Sequence, residues 1–267
     1  MILPVALTIA GSDSGGGAGI QADLKTFAAL GVHGTSAITA ITAQNTVTVT
    51  RILELPVEMI RAQIDAVVED LAPAAAKTGM LSSPEIIECV AEALRDHRLT
   101  QLVVDPVMVA KGGAKLLHDD AVEALRRRLL PLAAVVTPNL PEAEVLLGRR
   151  IATLDEQGRA ARDLLKLGAR AVVVKGGHSS GAESVDVFAD GQRELSLPAR
   201  RLDTANTHGS GCVFSAAITA ELAKGAGLQE AVAAAKAFIS GAIEAALEIG
   251  HGHGPVNPMF RVMAPLS

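Results

Sequence analysis

Short apolar segments alternate with longer amphipathic ones along most of the chain. Residues 5–10 and 171–175 are short and rich in apolar or β-branched side chains, which is typical of buried strands. Within residues 56–71, apolar side chains instead recur every three or four positions, which is typical of a helix packed on one face. Repeated along the chain, this alternation predicts a mainly parallel sheet covered by helices on both faces.

The full pattern gives an ordered set of predicted elements. The predicted strands are residues 5–10, 35–42, 74–80, 102–105, 133–137 and 171–175. The predicted helices are residues 20–30, 56–71, 84–94, 119–130, 141–147, 155–167, 211–224 and 228–249. Residues 185–189 and 194–197 flank Asp190-Gly191, a tight-turn signal, and predict an antiparallel hairpin at the edge of the sheet. No linker interrupts the pattern, so we expect 1–267 to form a single three-layer α/β domain.

Composition excludes several classes of protein. The chain has 267 residues, of which 49% are apolar, enough for a sizeable core. It has no uncharged apolar run of about 18 residues, so we expect no membrane span. A net charge of −5 and aromatic residues limited to five Phe argue against nucleic-acid binding. The two cysteines, Cys89 and Cys212, are too few for a disulfide framework, which predicts a reducing, cytoplasmic location.

Candidate chemistry lies in the polar and glycine-rich segments that follow the predicted strands, because ligands of open parallel sheets bind outside the carboxyl ends of the strands. Seven segments qualify: residues 11–19, 44–45, 77–80, 105–113, 137–142, 175–177 and 206–212. None carries the dinucleotide fingerprint, the P-loop or the nucleophile elbow. The glycines of residues 11–19 fit equally well a sharp turn into a helix or a loop whose backbone approaches a ligand closely.

The segment from Thr207 to Cys212 is the most informative of these. Small residues open a long predicted helix there, so unpaired backbone N–H groups and the helix dipole would form an anion site suited to a phosphoryl group. Cys212 falls in the first turn, where we expect a lowered thiol pKa and a thiolate able to accept a proton from a substrate hydroxyl. The alternative is a small buried cysteine at the start of a helix.

Five further residues each have a structural and a functional interpretation. Asn139 and Glu142 fit a helix cap, or an oxygen pair that holds Mg²⁺ through water. Asp105 fits a turn former, or a metal or proton partner. Lys175 and Lys236 fit solvated side chains, or contacts to phosphate.

The ordered motifs resemble those of the hydroxymethylpyrimidine/phosphomethylpyrimidine kinases of thiamine synthesis, within the ribokinase-like superfamily. The match covers essentially the whole chain. It rests on the segments at residues 7–26, 42–46, 77–81, 105–108, 137–143, 174–178, 206–212 and 254–257. The resemblance implies a kinase that uses ATP and Mg²⁺. It would phosphorylate 4-amino-5-hydroxymethyl-2-methylpyrimidine and then its monophosphate, giving the pyrophosphate.

The resemblance also implies roles for individual residues. Gln44 would bind the edge of the pyrimidine ring, in a pocket shaped by Gly11, Met80 and Val107. An anion hole and the catalytic position would lie at Gly209, Ser210, Gly211 and Cys212. Asn139 and Glu142 would bind magnesium. Contacts to the nucleotide phosphates would come from Lys175, Thr207 and Lys236, and we group Asp105 with these. Ser210 stands where the family often has Thr.

Family members are usually homodimers, so the resemblance also implies a homodimer. Two rival functions stay open. A pyridoxal kinase of the same branch would act on a similar ring-borne hydroxymethyl group. A non-catalytic ligand-binding protein on the same scaffold would bind without turnover.

Overall fold

The apolar segments of the sequence form the central strands of one nine-stranded sheet. The computed structural model describes residues 3–109, 113, 116–118, 120–177 and 183–262. The strands are β1 (Val5–Asp13), β2 (His33–Gln44), β3 (Val49–Glu54), β4 (Ala75–Thr78), β5 (Leu102–Val104), β6 (Val135–Val136), β7 (Ala171–Val174), β8 (Glu183–Ala189) and β9 (Glu194–Arg200). Their order across the sheet is β3-β2-β1-β4-β5-β6-β7-β8-β9.

The six central strands run parallel, and antiparallel strands close both edges. β1 pairs in parallel with both β2 and β4, and the parallel pairing continues through β5 and β6 to β7. The predicted hairpin is confirmed, since β8 and β9 pair antiparallel at one edge. β3, which pairs antiparallel with β2 at the other edge, was not predicted. Its sequence does not alternate between apolar and polar residues, and most of it is exposed.

Helices cover both faces, as the pattern predicted. They are α1 (Gly19–Ala29), α2 (Val57–Leu71), α3 (Pro84–Asp96), α4 (Ala121–Ala124), α5 (Leu140–Leu147), α6 (Leu154–Leu165), α7 (Ser210–Ala223) and α8 (Leu228–Glu244). Successive residues of a strand enter different cores: Val172 and Val174 pack with α2 to α6, whereas Ala171 and Val173 pack with α1, α7 and α8. The three-layer α/β architecture is therefore confirmed.

The predicted helix at residues 119–130 is wrong in its detail. Residue 119 lies outside the described residues. α4 is a single turn, followed by a π-helical turn at Leu125–Leu129 and a 3-10 turn at Leu130–Leu132. Pro131 has no backbone N–H to donate, so regular α-helix cannot continue through it.

α8 ends at Glu244, five residues before its predicted end. The following segment folds back so that Pro255 bridges to His208 beside the start of α7. In the described part of the chain, no helix is long and apolar enough to cross a membrane.

Candidate active site

A cavity of about 520 Å³ lies at the carboxyl ends of the parallel strands. It draws on the loops after β1, β2, β4, β5, β6 and β7 and on the start of α7, as expected for an open parallel sheet. All but one of the residues singled out from the sequence line it: Gly11, Gln44, Met80, Asp105, Val107, Asn139, Glu142, Lys175, Thr207, Gly209, Ser210, Gly211 and Cys212.

Lys236 is the exception, since it does not line this cavity. Its Nζ lies 2.7 Å from Asp186 Oδ2, and it also donates to the Ser184 carbonyl oxygen at 3.3 Å. Both members of the pair are largely buried between α8 and β8. Asp186 Oδ1 accepts the N–H of Gly176 at 2.8 Å, so the pair supports the turn after Lys175 from behind.

Two lines of evidence support an anion site at the start of α7. Gly209 occupies the N-cap position with φ of +75°, and no side chain caps the helix. A Cβ at this position would collide with the Gly17 carbonyl oxygen, so only glycine allows the two loops to come so close. The first-turn N–H groups of α7 therefore have no capping side chain and point out of the helix end that lines the cavity.

Asn139 and Glu142 form the predicted cap of α5. Asn139 Oδ1 accepts the N–H of Glu142 at 2.9 Å, and Glu142 Oε2 accepts the N–H of Asn139 at 2.8 Å. Glu142 is nevertheless buried at the cavity wall. Burial, joined by the nearby charge of Asp105, raises the pKa of Glu142 to about 7 despite the opposing charge of Lys175.

Asp105, which follows β5, accepts hydrogen bonds from several polar side chains. Its Oδ1 lies 3.1 Å from Lys175 Nζ, and Thr137 Oγ1 donates to the same oxygen at 3.3 Å. Ser215 of α7 donates to its other oxygen at 3.2 Å. Burial lowers the pKa of the Lys175 ammonium group, but the charges of Asp105 and Glu142 outweigh it and raise that pKa above its usual value. The cavity therefore holds a cation between two carboxylates.

Cys212 lies in the first turn of α7 as predicted, but the expectation of a thiolate there is wrong. Burial of the thiol, followed by the nearby carboxylate of Asp23, raises the pKa of Cys212 to about 12. Lys77 lowers the pKa, but by less than burial raises it. A helix N-terminus favours thiolate only where water or cations also support the charge. The neutral thiol is therefore the resting form.

Gln44 ends β2 and reaches the cavity beside His208 and Thr42. The side-chain nitrogen of Gln44 lies 3.5 Å from His208 Nε2, and its side-chain oxygen lies 3.2 Å from Thr42 Oγ1. A Cβ on Gly11 would come within 3.1 Å of Met80 Sδ, so the glycine leaves room for the methionine side chain. An amide bordered by apolar walls suits the edge of a flat heterocycle.

The sequence interpretation missed Asp13, which organises the glycine-rich loop after β1. Its carboxylate accepts N–H groups from Gly15 at 2.8 Å, Gly17 at 3.1 Å and Ala18 at 2.8 Å. Its Oδ2 also lies 2.9 Å from His208 Nε2. Burial raises the pKa of Asp13, but these hydrogen bonds outweigh it and hold the pKa below the usual value. In the sequence, a single acidic residue within a glycine-rich segment was the signal that could have identified Asp13.

A second missed pair is fully buried at the cavity wall, where Lys77 is one of the lining residues. Lys77, at the end of β4, lies 2.9 Å from Asp23 Oδ2 of α1, and Thr8 donates to the same oxygen at 2.7 Å. Neither charged side chain is exposed to water. Lys77 stood in a segment predicted to lie at the site, whereas Asp23 follows helical spacing and gives no sequence signal.

A protein-family model matches most of the chain. The model, described as phosphomethylpyrimidine kinase, matches residues 13–257. The chain belongs to the phosphomethylpyrimidine kinase family. The matched region contains thirteen of the fourteen residues singled out from the sequence, and Gly11 lies just before it.

Individual relatives agree with the family. A hydroxymethylpyrimidine/phosphomethylpyrimidine kinase of Haemophilus influenzae is 57% identical over 258 residues, which is 94% of this chain and 95% of that protein. The thiamine biosynthesis bifunctional protein ThiED of Geobacter sulfurreducens is 51% identical over 94% of this chain, which spans 51% of that protein. The predictions of a hydroxymethylpyrimidine/phosphomethylpyrimidine kinase and of a role in thiamine biosynthesis are confirmed.

A solved structure shows the same fold. The ADP complex of Bacillus subtilis pyridoxal kinase superposes with a TM-score of 0.92 at 43% identity, covering 98% of this chain and 100% of that one. The prediction of a ribokinase-like fold is confirmed. Because this solved structure is a pyridoxal kinase, pyridoxal is also a substrate to test.

Proposed function

We propose that this kinase transfers the γ-phosphoryl group of ATP to the hydroxymethyl group of 4-amino-5-hydroxymethyl-2-methylpyrimidine, and then phosphorylates the resulting monophosphate. One observation carries the proposal. A single cavity holds both the Gln44 amide, suited to a pyrimidine edge, and the uncapped N-terminus of α7, suited to a phosphoryl group. The bound ADP of the B. subtilis relative supports an adenine nucleotide as the donor.

The cavity residues supply positioning and charge. The substrate oxygen forms a bond to the γ-phosphorus while the bond from that phosphorus to ADP breaks. First-turn N–H groups of α7 and the Lys175 ammonium group stabilise the charge on the transferred group. The hydroxyl keeps its proton until late in a loose transition state. The Cys212 sulfur then accepts it as the neutral thiol passes its own proton to an oxygen of the transferred phosphoryl group.

The residues present also fit Mg²⁺. Glu142 and Asp105 offer oxygen ligands, and the raised pKa of buried Glu142, about 7, marks a carboxylate that lacks full charge compensation. The described part of the chain contains no group of three or more His, Cys, Asp or Glu able to hold a metal by themselves. This agrees with an ion held mainly through water and nucleotide phosphates, with Asn139 and Glu142 beside it. When bound, the ion would neutralise charge on the transferred phosphoryl group.

The test is ADP release coupled to product identification, with Mg·ATP and four candidate acceptors. These are the hydroxymethylpyrimidine, its monophosphate, pyridoxal and ribose. Turnover of both pyrimidines, with pyrophosphate formed from the second, supports the proposal. Turnover of pyridoxal alone contradicts the role of Gln44, and turnover of none contradicts catalysis. Omitting Mg²⁺ should abolish both pyrimidine activities.

We also propose a homodimer. β3 is an edge strand, and its Ile52 and Leu53 are exposed together with neighbouring Ile41 of β2. Adjacent apolar side chains on an exposed sheet edge favour pairing with another copy. Sedimentation equilibrium should give twice the mass of one chain, and the mass of a single chain would contradict the proposal.

Two expectations from the sequence remain proposals. All nine strands found in the described part of the chain belong to one sheet, which supports a single domain over 1–267. Both cysteines are free, which supports a reducing, cytoplasmic location. Limited proteolysis that leaves one resistant core would support the first, and recovery of the protein in a cytoplasmic cell fraction would support the second.

A further inference from the structure

The proposed mechanism does not use the buried Asp13–His208 pair of the cavity. His208 Nε2 lies 2.9 Å from Asp13 Oδ2 and 3.5 Å from the side-chain nitrogen of Gln44. On its other side, the Gln44 side-chain oxygen lies 3.2 Å from Thr42 Oγ1. The substrate-facing amide is therefore held between an imidazole and a hydroxyl, each of which has another partner of its own.

Those other partners decide where the protons lie. The Asp13 carboxylate can only accept, so His208 Nε2 carries the proton that it donates to Oδ2. Thr42 has a single hydroxyl proton, and its shorter contact, 2.8 Å to the Ser12 carbonyl oxygen, takes it. Gln44 therefore meets, at His208, an N–H that is shared with Asp13 and reaches Gln44 only as the longer arm of a three-centre contact, and it meets an acceptor at Thr42.

A planar amide can rotate by 180° and occupy the same space with nitrogen and oxygen exchanged. The structure places the amide nitrogen toward His208 and the oxygen toward Thr42. Only the rotated orientation, with the oxygen of Gln44 toward His208 and the amino group toward Thr42, matches both neighbours. The other orientation sets two N–H donors face to face and leaves the amide oxygen against a hydroxyl whose proton is already used. We propose that the Asp13–His208 pair is a positioning device that fixes the orientation of the Gln44 amide and so selects aminopyrimidine substrates.

The selection of aminopyrimidines follows from the order of the hydrogen-bond donor and acceptor on the Gln44 amide. This inference rests on the proposed function. An aminopyrimidine presents an exocyclic amino donor next to a ring-nitrogen acceptor. A fixed amide offers the complementary oxygen and N–H in one order, whereas a freely rotating amide spends part of its time with donor facing donor. Pyridoxal carries no amino group next to its ring nitrogen and gains less from a fixed amide.

The experiment is a double-mutant cycle on kcat/KM, with His208→Ala, Gln44→Ala and the combined variant. We expect His208→Ala to lower kcat/KM for the hydroxymethylpyrimidine about five- to tenfold, mainly through KM, with KM for ATP within about twofold. In the Gln44→Ala background, the same substitution should have almost no effect, because His208 acts through Gln44. His208→Gln, which places an amide N–H near the position of Nε2, should restore most of the loss.

A role in folding alone predicts a different result. Equal losses in both backgrounds, or a loss expressed in KM for ATP, would overturn the proposal. Lys25→Ala is the matched control, since Lys25 bonds the same loop at the Gly16 carbonyl oxygen without reaching Gln44. It should stay within about twofold of the wild type. Failure of the proposed function is distinguishable, because the wild type itself would then turn over neither pyrimidine.

Discussion

The neutral resting thiol of Cys212 leads to a quantitative prediction about its reactivity. The ordinary thiol pKa is 9.0, and burial with the nearby Asp23 and Asp105 raises that of Cys212 to about 12. At pH 8, about one ordinary thiol in ten is ionised, but only about one in ten thousand Cys212 thiols. Since only the thiolate is alkylated, iodoacetamide should react with Cys212 about a thousandfold more slowly than with an unfolded peptide.

Access to the cavity also slows alkylation, so the pH dependence is the decisive measurement. In a Cys89→Ser background, the alkylation rate followed by intact mass should rise about tenfold per pH unit from pH 7 to pH 10. A plateau near pH 8 or 9 would refute the reasoning, since it would show a thiol of ordinary or lowered pKa. Circular dichroism at each pH serves as the folding control.

A substitution at Cys212 tests its role in catalysis. Cys212→Ala should lose about a hundredfold or more in kcat, the usual contribution of a proton-accepting group, while nucleotide and pyrimidine still bind. Binding is measured by calorimetry in the absence of turnover. Full turnover in this variant would remove the Cys212 sulfur from the mechanism.

Three further predictions concern other parts of the site. Gln44→Ala should raise KM for the pyrimidine about tenfold with little change in kcat, and an unchanged KM in steady-state assays would contradict its role. Because protonation near pH 7 removes the charge of Glu142, the Mg²⁺ concentration for half-maximal activity should rise as pH falls from 8 to 6. Glu142→Gln should flatten that dependence, and an unchanged profile would argue against the carboxylate. Lys236→Met leaves the Asp186 carboxylate buried without its ion-pair partner. Urea unfolding should therefore show a free energy of unfolding lower by about 3 kcal/mol, with KM for ATP nearly unchanged. A large rise in KM for ATP would support a phosphate role for Lys236.

The sequence predicted a structural feature correctly where the residues that cause the feature lie within one short segment. The alternation of apolar strands and amphipathic helices specified the layers, because each face of the sheet must bury its own set of side chains. β3 escaped notice because an exposed edge strand has no buried face to mark it. The predicted lining of the cavity followed from one topological rule about the carboxyl ends of strands.

Charge environments could not be predicted in this way, because they depend on groups far apart in the chain. Position in the first turn of α7 suggested a thiolate at Cys212, but burial raises the pKa of its thiol, and the nearest charged groups, Asp23 and Lys77, belong to α1 and β4. Lys236 fitted a solvated side chain or a phosphate contact, and the fold sets it against Asp186, 50 residues away.

The sequence by itself determined the family, the architecture and which loops meet at the cavity, since motifs and periodicity act over short stretches of chain. Only the tertiary structure decided which protons and charges stand at the site. It joined Asp13 to His208 across 195 residues and buried the Cys212 thiol among carboxylates. Electrostatic energies depend on distance in space and on exclusion of water, and neither is written in the order of the residues.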